Sequence, residues 1–150
     1  MNIDLLAGHT EVIATLTGWY ELEWAPYYGI DGPGDARSDL ESRCNHTRMP
    51  IGLVALAGDQ VAGTVGLDLD VATNLTPSVV GLLVGREHRG RGVASALLES
   101  VEGLARQLGH RRIYTSTTVL GDLLLGMKWY PFGEVEFLND EHGSIYARDL

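Results

Sequence analysis

"REHRGRGVASALLES" (residues 86–100) joins a basic, glycine-containing turn to the start of an amphipathic helix. The apolar run "VVGLLV" (79–84), typical of a buried strand, comes directly before it. The first N–H groups of a helix have no intrahelical partners, and the helix dipole places positive potential there. Gly90 and Gly92 allow the backbone to approach an anion closely, and the neighbouring arginines add positive charge. This succession of strand, turn and helix predicts a phosphate-binding site.

Two common nucleotide-binding signatures are missing from this turn. It lacks the Gly-Lys-Ser/Thr ending of a triphosphate-binding loop, and it lacks the three-glycine dinucleotide fingerprint with its acidic residue roughly 20 positions later. A diphosphate ligand without bound magnesium fits the turn better. The alternative is a solvated turn that binds nothing, but the direct coupling of strand, turn and helix disfavours it.

The segment 93–108 is predicted to form a long amphipathic helix. Gly109 follows it at the position where a helix C′ glycine is expected. Its polar side is expected to carry Glu99, Glu102 and Arg106. Its apolar stripe is formed by Val93, Leu97, Val101, Leu104 and Leu108.

The rest of the chain alternates between helical and strand patterns. A helix is predicted over 8–24, a loop over 27–35 and a short helix over 36–47, followed by a hairpin with strands at 51–57 and 61–69. A polar loop is expected over 70–78. A strand at 111–119, a short helix or turn at 121–129 and a closing hairpin ("GEVEFL", 133–138, and "GSIYARDL", 143–150) complete the order. This order predicts an α+β fold with a mixed, mainly antiparallel sheet.

Composition limits the classes of function. The chain has 150 residues, a net charge of −9 and a single cysteine, Cys44. One domain, 1–150, is expected, and a lone cysteine excludes an internal disulfide and favours a reducing cytoplasm. The N-terminus shows no signal-peptide pattern, and no window approaches the ~18 apolar residues of a spanning helix. We expect no membrane partner because of that missing apolar window. We expect no nucleic-acid partner either, since an acidic chain attracts cations such as amines instead.

The segment Arg89–Ala94 resembles the central motif of the GNAT superfamily of acyl-CoA N-acyltransferases, Arg/Gln-x-x-Gly-x-Gly/Ala. In that family the motif lies between the fourth strand and the third helix. The resemblance extends from "PIGLVALAGDQVAGTVGL" (50–67) to the terminal "ARDL" (147–150), and the N-terminal helices match more loosely. It implies the GNAT fold, with about six to seven strands, a splay between the fourth and fifth strands, and about four helices.

The resemblance also implies a cosubstrate, acetyl-CoA, and no metal. The backbone amides of 90–95 would hold the pyrophosphate of coenzyme A. The main chain of 82–84 would contact pantetheine and the thioester carbonyl, while the side chains of the same residues pack in the core. The cofactor-binding residues implied are Leu82, Leu83, Val84, Arg89, Gly90, Arg91, Gly92, Val93, Ala94 and Ser95.

Acyl transfer to an amine requires a base, because an alkylammonium has a pKa of about 10. Asp68 and Asp70, at the end of the second hairpin strand, are candidate bases, and Glu21 and Glu23, at the end of the first helix, form a second set. The alternative for each is an ordinary solvated carboxylate. A backbone N–H near Leu83 or Val84 is the candidate oxyanion donor, typically worth ~3 kcal/mol.

One position departs from the family pattern. The family commonly places Leu/Phe-Tyr-x-x-x-Gly-Phe/Trp after strand five, where the tyrosine protonates the departing thiolate. Here Leu124 stands at the tyrosine and Lys128 at the glycine. The proton would come from water, from Thr117 or Ser116, or from Tyr130. Alternatively the thiolate leaves unprotonated, which a thiol pKa of about 8.5 tolerates.

The expected acceptor is the primary amine of a small molecule or peptide, attacking acetyl-CoA directly in a ternary complex. The alternative is an acyl-CoA-binding module, a sensor or assembly domain, with weak or no transferase activity. The sequence permits a homodimer without requiring one. Helical spacing favours core positions for Trp19 and Tyr20, while Tyr27 and Tyr28 are freer. The aromatic wall expected around the acceptor consists of Trp19, Tyr20, Trp24, Tyr27 and Tyr28, near the acidic residues Glu21, Glu23, Asp31 and Asp35.

Overall fold

The computed structural model describes residues 1–137 and 140–150. Within them one sheet has the strand order β1-β2-β3-β4-β5-β7-β6. β4 and β5 pair in parallel, and every other neighbouring pair is antiparallel, which confirms the predicted mixed sheet. The strands are β1 (Asn2–Leu5), β2 (Ile51–Ala57), β3 (Gln60–Asp70), β4 (Leu75–Val84), β5 (Arg112–Thr117), β6 (Tyr130–Glu136) and β7 (His142–Asp149).

Helices cover both faces of the sheet. α1 and α3 pack over one face around a core that includes Leu16 and Leu40. α4 packs over the other face, where Leu97, Val101 and Leu124 belong to the second core cluster. The sheet is therefore the middle of three layers, and its central strands are buried on both sides. The helices are α1 (Ile13–Glu23), α2 (Ala25–Tyr28), α3 (Ala36–Ser42), α4 (Val93–Gln107) and α5 (Gly121–Gly126).

Several boundaries differ from the sequence predictions. β1 lies in an N-terminal segment for which no strand was predicted, and its four residues are too few to show an alternating pattern. The helix predicted from residue 8 begins at Ile13, after two short 3₁₀ turns. α2 occupies the start of the predicted loop 27–35, and β4 takes its first residues from the predicted loop 70–78. In the closing hairpin, Leu138 and Asn139 lie outside the described residues.

Glu102 was expected on the polar side of α4, and this prediction is wrong. Its side chain is nearly buried, and its Oε1 accepts a hydrogen bond of 2.8 Å from Trp129 Nε1. Arg148 Nε lies 3.5 Å from the same oxygen. Burial raises the pKa of Glu102, and the charge of Arg148 opposes that shift. A buried carboxylate is tolerated here because an indole and a guanidinium satisfy it.

The sheet opens between its two parallel strands. Within the described residues β4 and β5 pair only at Ser78↔Tyr114 and Val79↔Thr115, and the two strands part beyond these residues, which confirms the predicted splay. On its other edge, where it pairs with β3, β4 carries a bulge. Thr64 pairs with Leu83 and Gly66 pairs with Val80, so that two residues of β4 lie opposite one residue of β3. Gly81 lies in the bulge with φ +59°, a left-handed conformation that favours glycine. The bulge therefore sits just beyond the point where β4 leaves β5.

Candidate functional site

The turn after β4 exposes the N-terminus of α4. A 3₁₀ turn at Arg86–His88 leads into it, and Gly90 and Gly92 have φ of +74° and +79°. Gly92 is the N-cap residue and has no side chain with which to cap the first helical turn. A Cβ placed on either glycine would meet no atom within 4 Å. Main-chain N–H groups without partners beside open space fit the pyrophosphate site that the sequence predicts. A side chain at position 90 or 92 would occupy part of the space in which the pyrophosphate would lie.

Arg89 does not project away from its turn. Its Nε donates to the Val84 carbonyl at 3.1 Å, and its Nη2 lies 3.5 Å from Glu23 on α1. The side chain therefore ties the turn back to the end of β4 and to the end of α1. The exposed ion pair contributes little stability by itself. Arg86 and Arg91 are exposed, so their charges remain at the surface of the turn.

The strand before the turn has side chains on both faces of the sheet. Leu83 is 7% exposed and belongs to the core under α1. Leu82 and Val84 are partly buried and pack against the core under α4. These side chains serve packing, while the main chain of the same residues runs along the splay, where β5 no longer covers it. The two roles predicted for these residues are therefore compatible.

A cleft of about 610 Å³ opens on the α1 side of this region. Its walls are α1, the turn between β2 and β3, the end of β4 and the residues up to Arg89. Two of the aromatic and acidic side chains that the sequence predicts around an acceptor, Trp19 and Glu23, line this cleft. Further carboxylates come from positions that were not predicted: Glu11, Asp59 and Glu87.

The candidate bases differ in their surroundings. Asp70 is partly buried, with Oδ1 accepting from Ala72 N at 3.0 Å and Oδ2 accepting from Ser116 Oγ at 3.0 Å. It thereby contacts β5 near the splay, a contact that spans 46 residues and gives no signal in the sequence. Asp68 accepts from the adjacent Leu69 N at 2.7 Å, beside the start of β4.

The two glutamates of α1 are placed differently from one another. Glu21 is exposed on the helix surface. Glu23 is also exposed, but it pairs with Arg89 of the turn. That contact connects Glu23 with the predicted cofactor turn rather than with a base position.

Leu124 lies where the family pattern has tyrosine, and it is completely buried in the core under α4. Tyr130 is an unsuitable substitute, because its hydroxyl donates to Asp149 at 2.9 Å near the start of β5, away from the splay. The Thr117 oxygen accepts from the N–H groups of Val119 and Leu120 in the turn before α5. The hydroxyl of Ser116 is engaged with Asp70.

Lys128 occupies the glycine position of that pattern and has φ +70°. It follows α5 where helices commonly end in a left-handed glycine, and a lysine there carries a conformational cost. Replacing Lys128 with glycine should therefore raise the free energy of unfolding by about 0.5–1 kcal/mol, despite the added freedom of the unfolded chain. Urea denaturation of both proteins measures this difference, and an unchanged or lower stability would contradict it.

The aromatic wall is only partly available to a ligand. Tyr20 is buried, and Tyr28 stacks on it at 5.6 Å between ring centroids. The Tyr28 hydroxyl donates to Asp39 at 2.7 Å, and burial raises the pKa of Tyr28 well above its usual value. Tyr28 is thus less free than the sequence suggested. Tyr27 is 36% exposed, and Trp19 packs against Gly85 at the end of β4.

Across residues 1–137 and 140–150, no group of three or more His, Cys, Asp or Glu side chains is arranged to hold a metal ion. Within the same residues, no helix is both long and apolar enough to span a membrane.

Comparison with known proteins gives three findings. The model of the acetyltransferase (GNAT) family matches residues 16–123. The chain is similar to N-acetyltransferase 8B of Rattus norvegicus, with 36% identity over 91 residues. That match covers 54% of this chain and 40% of the rat protein, so the chain aligns with less than half of this curated relative.

Solved structures share the fold over nearly the whole chain. An aminoglycoside 6′-N-acetyltransferase complexed with coenzyme A aligns with TM-score 0.79 and 15% identity, covering 99% of this chain and 97% of that one. The GNAT domain of S. lividans PAT aligns with TM-score 0.67 and 24% identity, covering 99% and 89%. At these identities the alignments show a common fold.

Proposed function

Because this chain belongs to the GNAT acetyltransferase family, we propose that it is an acetyl-CoA-dependent N-acetyltransferase. The observation that carries the proposal is the uncapped N-terminus of α4, reached through Gly90 and Gly92 beside a splayed β4. In this proposal the amides of 90–95 bind the pyrophosphate of coenzyme A. The main chain of 82–84 lies along pantetheine, and Arg89 fixes the turn to β4.

The reaction proposed is a direct attack in a ternary complex. A neutral primary amine adds to the thioester carbonyl carbon, a C–N bond forms, the C–S bond breaks, and the amine loses one proton. Asp70 is the base that we favour, because its carboxylate reaches β5 beside the splay and is oriented by Ser116. With Leu124 in the tyrosine position, the coenzyme A thiolate leaves without a side-chain acid, which its moderate basicity permits.

The acceptor proposed is cationic in solution. Four carboxylates and two guanidinium groups line the cleft beside the turn, so its charge is negative on balance, and the whole chain is acidic. The carboxylates are those of Glu11, Glu23, Asp59 and Glu87, and the guanidinium groups are those of Arg86 and Arg89. These charges favour the approach of an amine over that of an anion. One solved structure that shares the fold is an aminoglycoside 6′-N-acetyltransferase, and amines of small molecules or peptides are the class we propose here. A cytoplasmic site of action is proposed with it, since acetyl-CoA and a free thiol suit a reducing compartment.

A second candidate function rests on the buried Leu124. A chain that has lost the usual proton donor can bind acyl-CoA as a sensor or assembly module and transfer acetyl slowly or not at all. Both functions use the same turn, so binding of coenzyme A does not separate them. Amine-dependent release of thiol does.

Thermal unfolding tests whether the turn binds coenzyme A at all. At a ligand concentration about 100 times Kd, binding adds about 2.7 kcal/mol to the stability of the folded state. For a domain of this size that corresponds to a rise in Tm of roughly 5–10 °C. Coenzyme A and acetyl-CoA should both produce it. No shift with either ligand would refute both candidate functions.

A further inference from the structure

A buried arginine lies across the α1 face of the sheet. Arg43 follows α3, is 6% exposed, and is held to β2 because its carbonyl accepts from Gly52 N at 2.8 Å. A Cβ built at Gly52 would lie 3.2 Å from Arg43 Cβ, and one built at Gly66 would lie 2.9 Å from Arg43 Cδ. A Cβ at Gly81 would lie 2.7 Å from Arg43 Nη1. Glycines on three successive strands thus leave room for one extended side chain.

The guanidinium of Arg43 ends at the bulge of β4 and donates a hydrogen bond there. Its Nη1 donates to the Tyr20 hydroxyl oxygen at 3.0 Å, and that hydroxyl donates to the Gly81 carbonyl at 2.6 Å. Tyr20 is fully buried, and burial raises its pKa, so the hydroxyl keeps its proton. The result is a relay from Arg43 through Tyr20 to a single carbonyl oxygen of the bulge.

The buried guanidinium keeps its charge. Burial lowers the pKa of Arg43, but the nearby Tyr20, Tyr28 and Asp39 raise it by more, so that the pKa of Arg43 lies above its usual value. The cation is a strong hydrogen-bond donor, and its hydrogen bond polarises the Tyr20 hydroxyl toward Gly81.

Fixing this carbonyl also fixes the N–H of the next residue. The Gly81–Leu82 peptide is trans, so its C=O and N–H point in opposite directions. With the carbonyl held toward α1 by Tyr20, the Leu82 N–H points away from α1. The Gly81–Leu82 peptide lies just beyond Val79, the last residue of β4 that pairs with β5.

We propose that Tyr20 and Arg43 are positioning residues for acetyl transfer, which hold the Gly81–Leu82 peptide so that the Leu82 N–H is offered to the thioester carbonyl. This inference rests on the proposed function. It moves the oxyanion donor to Leu82 from the neighbourhood of Leu83 and Val84 that the sequence suggested. In this proposal the side chains of Tyr20 and Arg43, which belong to other parts of the chain, set the orientation of the Leu82 N–H.

The test is the variant Tyr20→Phe, which keeps the ring and removes the hydroxyl. With the Leu82 N–H no longer held, kcat for acetyl transfer should fall by about tenfold or more, because a transition-state donor is lost. Without any amine, the affinity of Tyr20→Phe for acetyl-CoA should be several-fold lower than that of wild type. Its affinity for coenzyme A, which has no thioester carbonyl, should stay within about a factor of two of the wild-type value. Titration with coenzyme A also gives the folded, competent fraction of each preparation.

Thr17→Val is the matched control. Thr17 lies on the same helix as Tyr20 and is partly buried, and its hydroxyl donates to the Ile13 carbonyl at 2.7 Å, so the variant removes a side-chain hydrogen bond to a carbonyl of α1 rather than of the bulge. It should leave kcat and the preference for acetyl-CoA unchanged. Arg43→Met should lower kcat less than Tyr20→Phe, and adding it to Tyr20→Phe should have little further effect, since the relay passes through the hydroxyl.

The outcomes separate the two claims. If wild type binds coenzyme A and transfers acetyl, but Tyr20→Phe behaves like Thr17→Val, the positioning role is overturned and the proposed function stands. If wild type neither binds coenzyme A nor transfers acetyl, the proposed function fails and this inference fails with it. A selective loss of kcat and of acetyl-CoA preference in Tyr20→Phe supports both.

Discussion

Replacing Gly92 with glutamate is expected to reduce the affinity for acetyl-CoA by about 100-fold or more, which corresponds to about 2.7 kcal/mol. The new carboxylate would stand at the N-terminus of α4, where the helix dipole attracts anions, and would take the position proposed for the pyrophosphate. It would also repel the phosphates directly. The rise in Tm with acetyl-CoA should therefore disappear in this variant.

The variant should remain folded, because a Cβ at Gly92 meets no atom within 4 Å and the φ of +79° costs only about 1 kcal/mol for a non-glycine residue. Gly109→Glu is its matched control. Gly109 has φ +90°, is also open on all sides, and follows the other end of the same helix. An equal loss of binding in both variants, or a full Tm shift in Gly92→Glu, would exclude the turn as the binding site.

Replacing Gly81 with alanine should cost more stability than any other single change considered. Two penalties combine at this residue. Its φ of +59° is strained for alanine, and the new Cβ would collide with the Tyr20 hydroxyl and press on Arg43. Together they should lower the free energy of unfolding by about 3 kcal/mol or more, a large part of the 5–15 kcal/mol typical of a domain. Denaturation with urea, followed by circular dichroism, measures the loss.

Gly58→Ala separates the two penalties. Gly58 has φ +63° in the turn between β2 and β3, but a Cβ there meets nothing within 4 Å. It should cost about 1 kcal/mol, from backbone strain alone. Combining Gly81→Ala with Tyr20→Phe should recover part of the loss by removing the colliding oxygen. If Gly81→Ala costs no more than Gly58→Ala, the tight contact between the bulge and the relay is wrong.

The parts of the fold that follow from local pattern were predictable. The 3.6-residue period defines α4 to within one residue, and Gly109 takes the left-handed conformation expected after it. The splay of β4 from β5 came from the family resemblance, which rests on the motif at Arg89–Ala94 and on the order of elements from residue 50 to residue 150. Local periodicity was insufficient for β1, because four residues paired at a sheet edge leave no readable period.

The parts that depend on sheet register were not predictable from the sequence. Gly52, Gly66 and Gly81 look like ordinary glycines in strands until β2, β3 and β4 are placed side by side. Only in that arrangement do all three glycines contact the same side chain, that of Arg43. Glu102 was misplaced because its partner Trp129 lies 27 residues away, and burial of a single glutamate contradicts the usual preference of the residue.

The central claim is that the chain transfers acetyl from acetyl-CoA to an amine, and amine-dependent release of coenzyme A thiol tests it most directly. Wild type should be incubated with acetyl-CoA and a panel of polyamines, aminoglycosides, amino acid amides and short peptides, with Gly92→Glu as the inactive protein and Gly109→Glu as the active control. At least one amine should raise thiol release above hydrolysis, with one acetylated amine formed per thiol. Thiol release that no amine increases, in a protein that binds acetyl-CoA, would contradict the claim and establish the binding module instead.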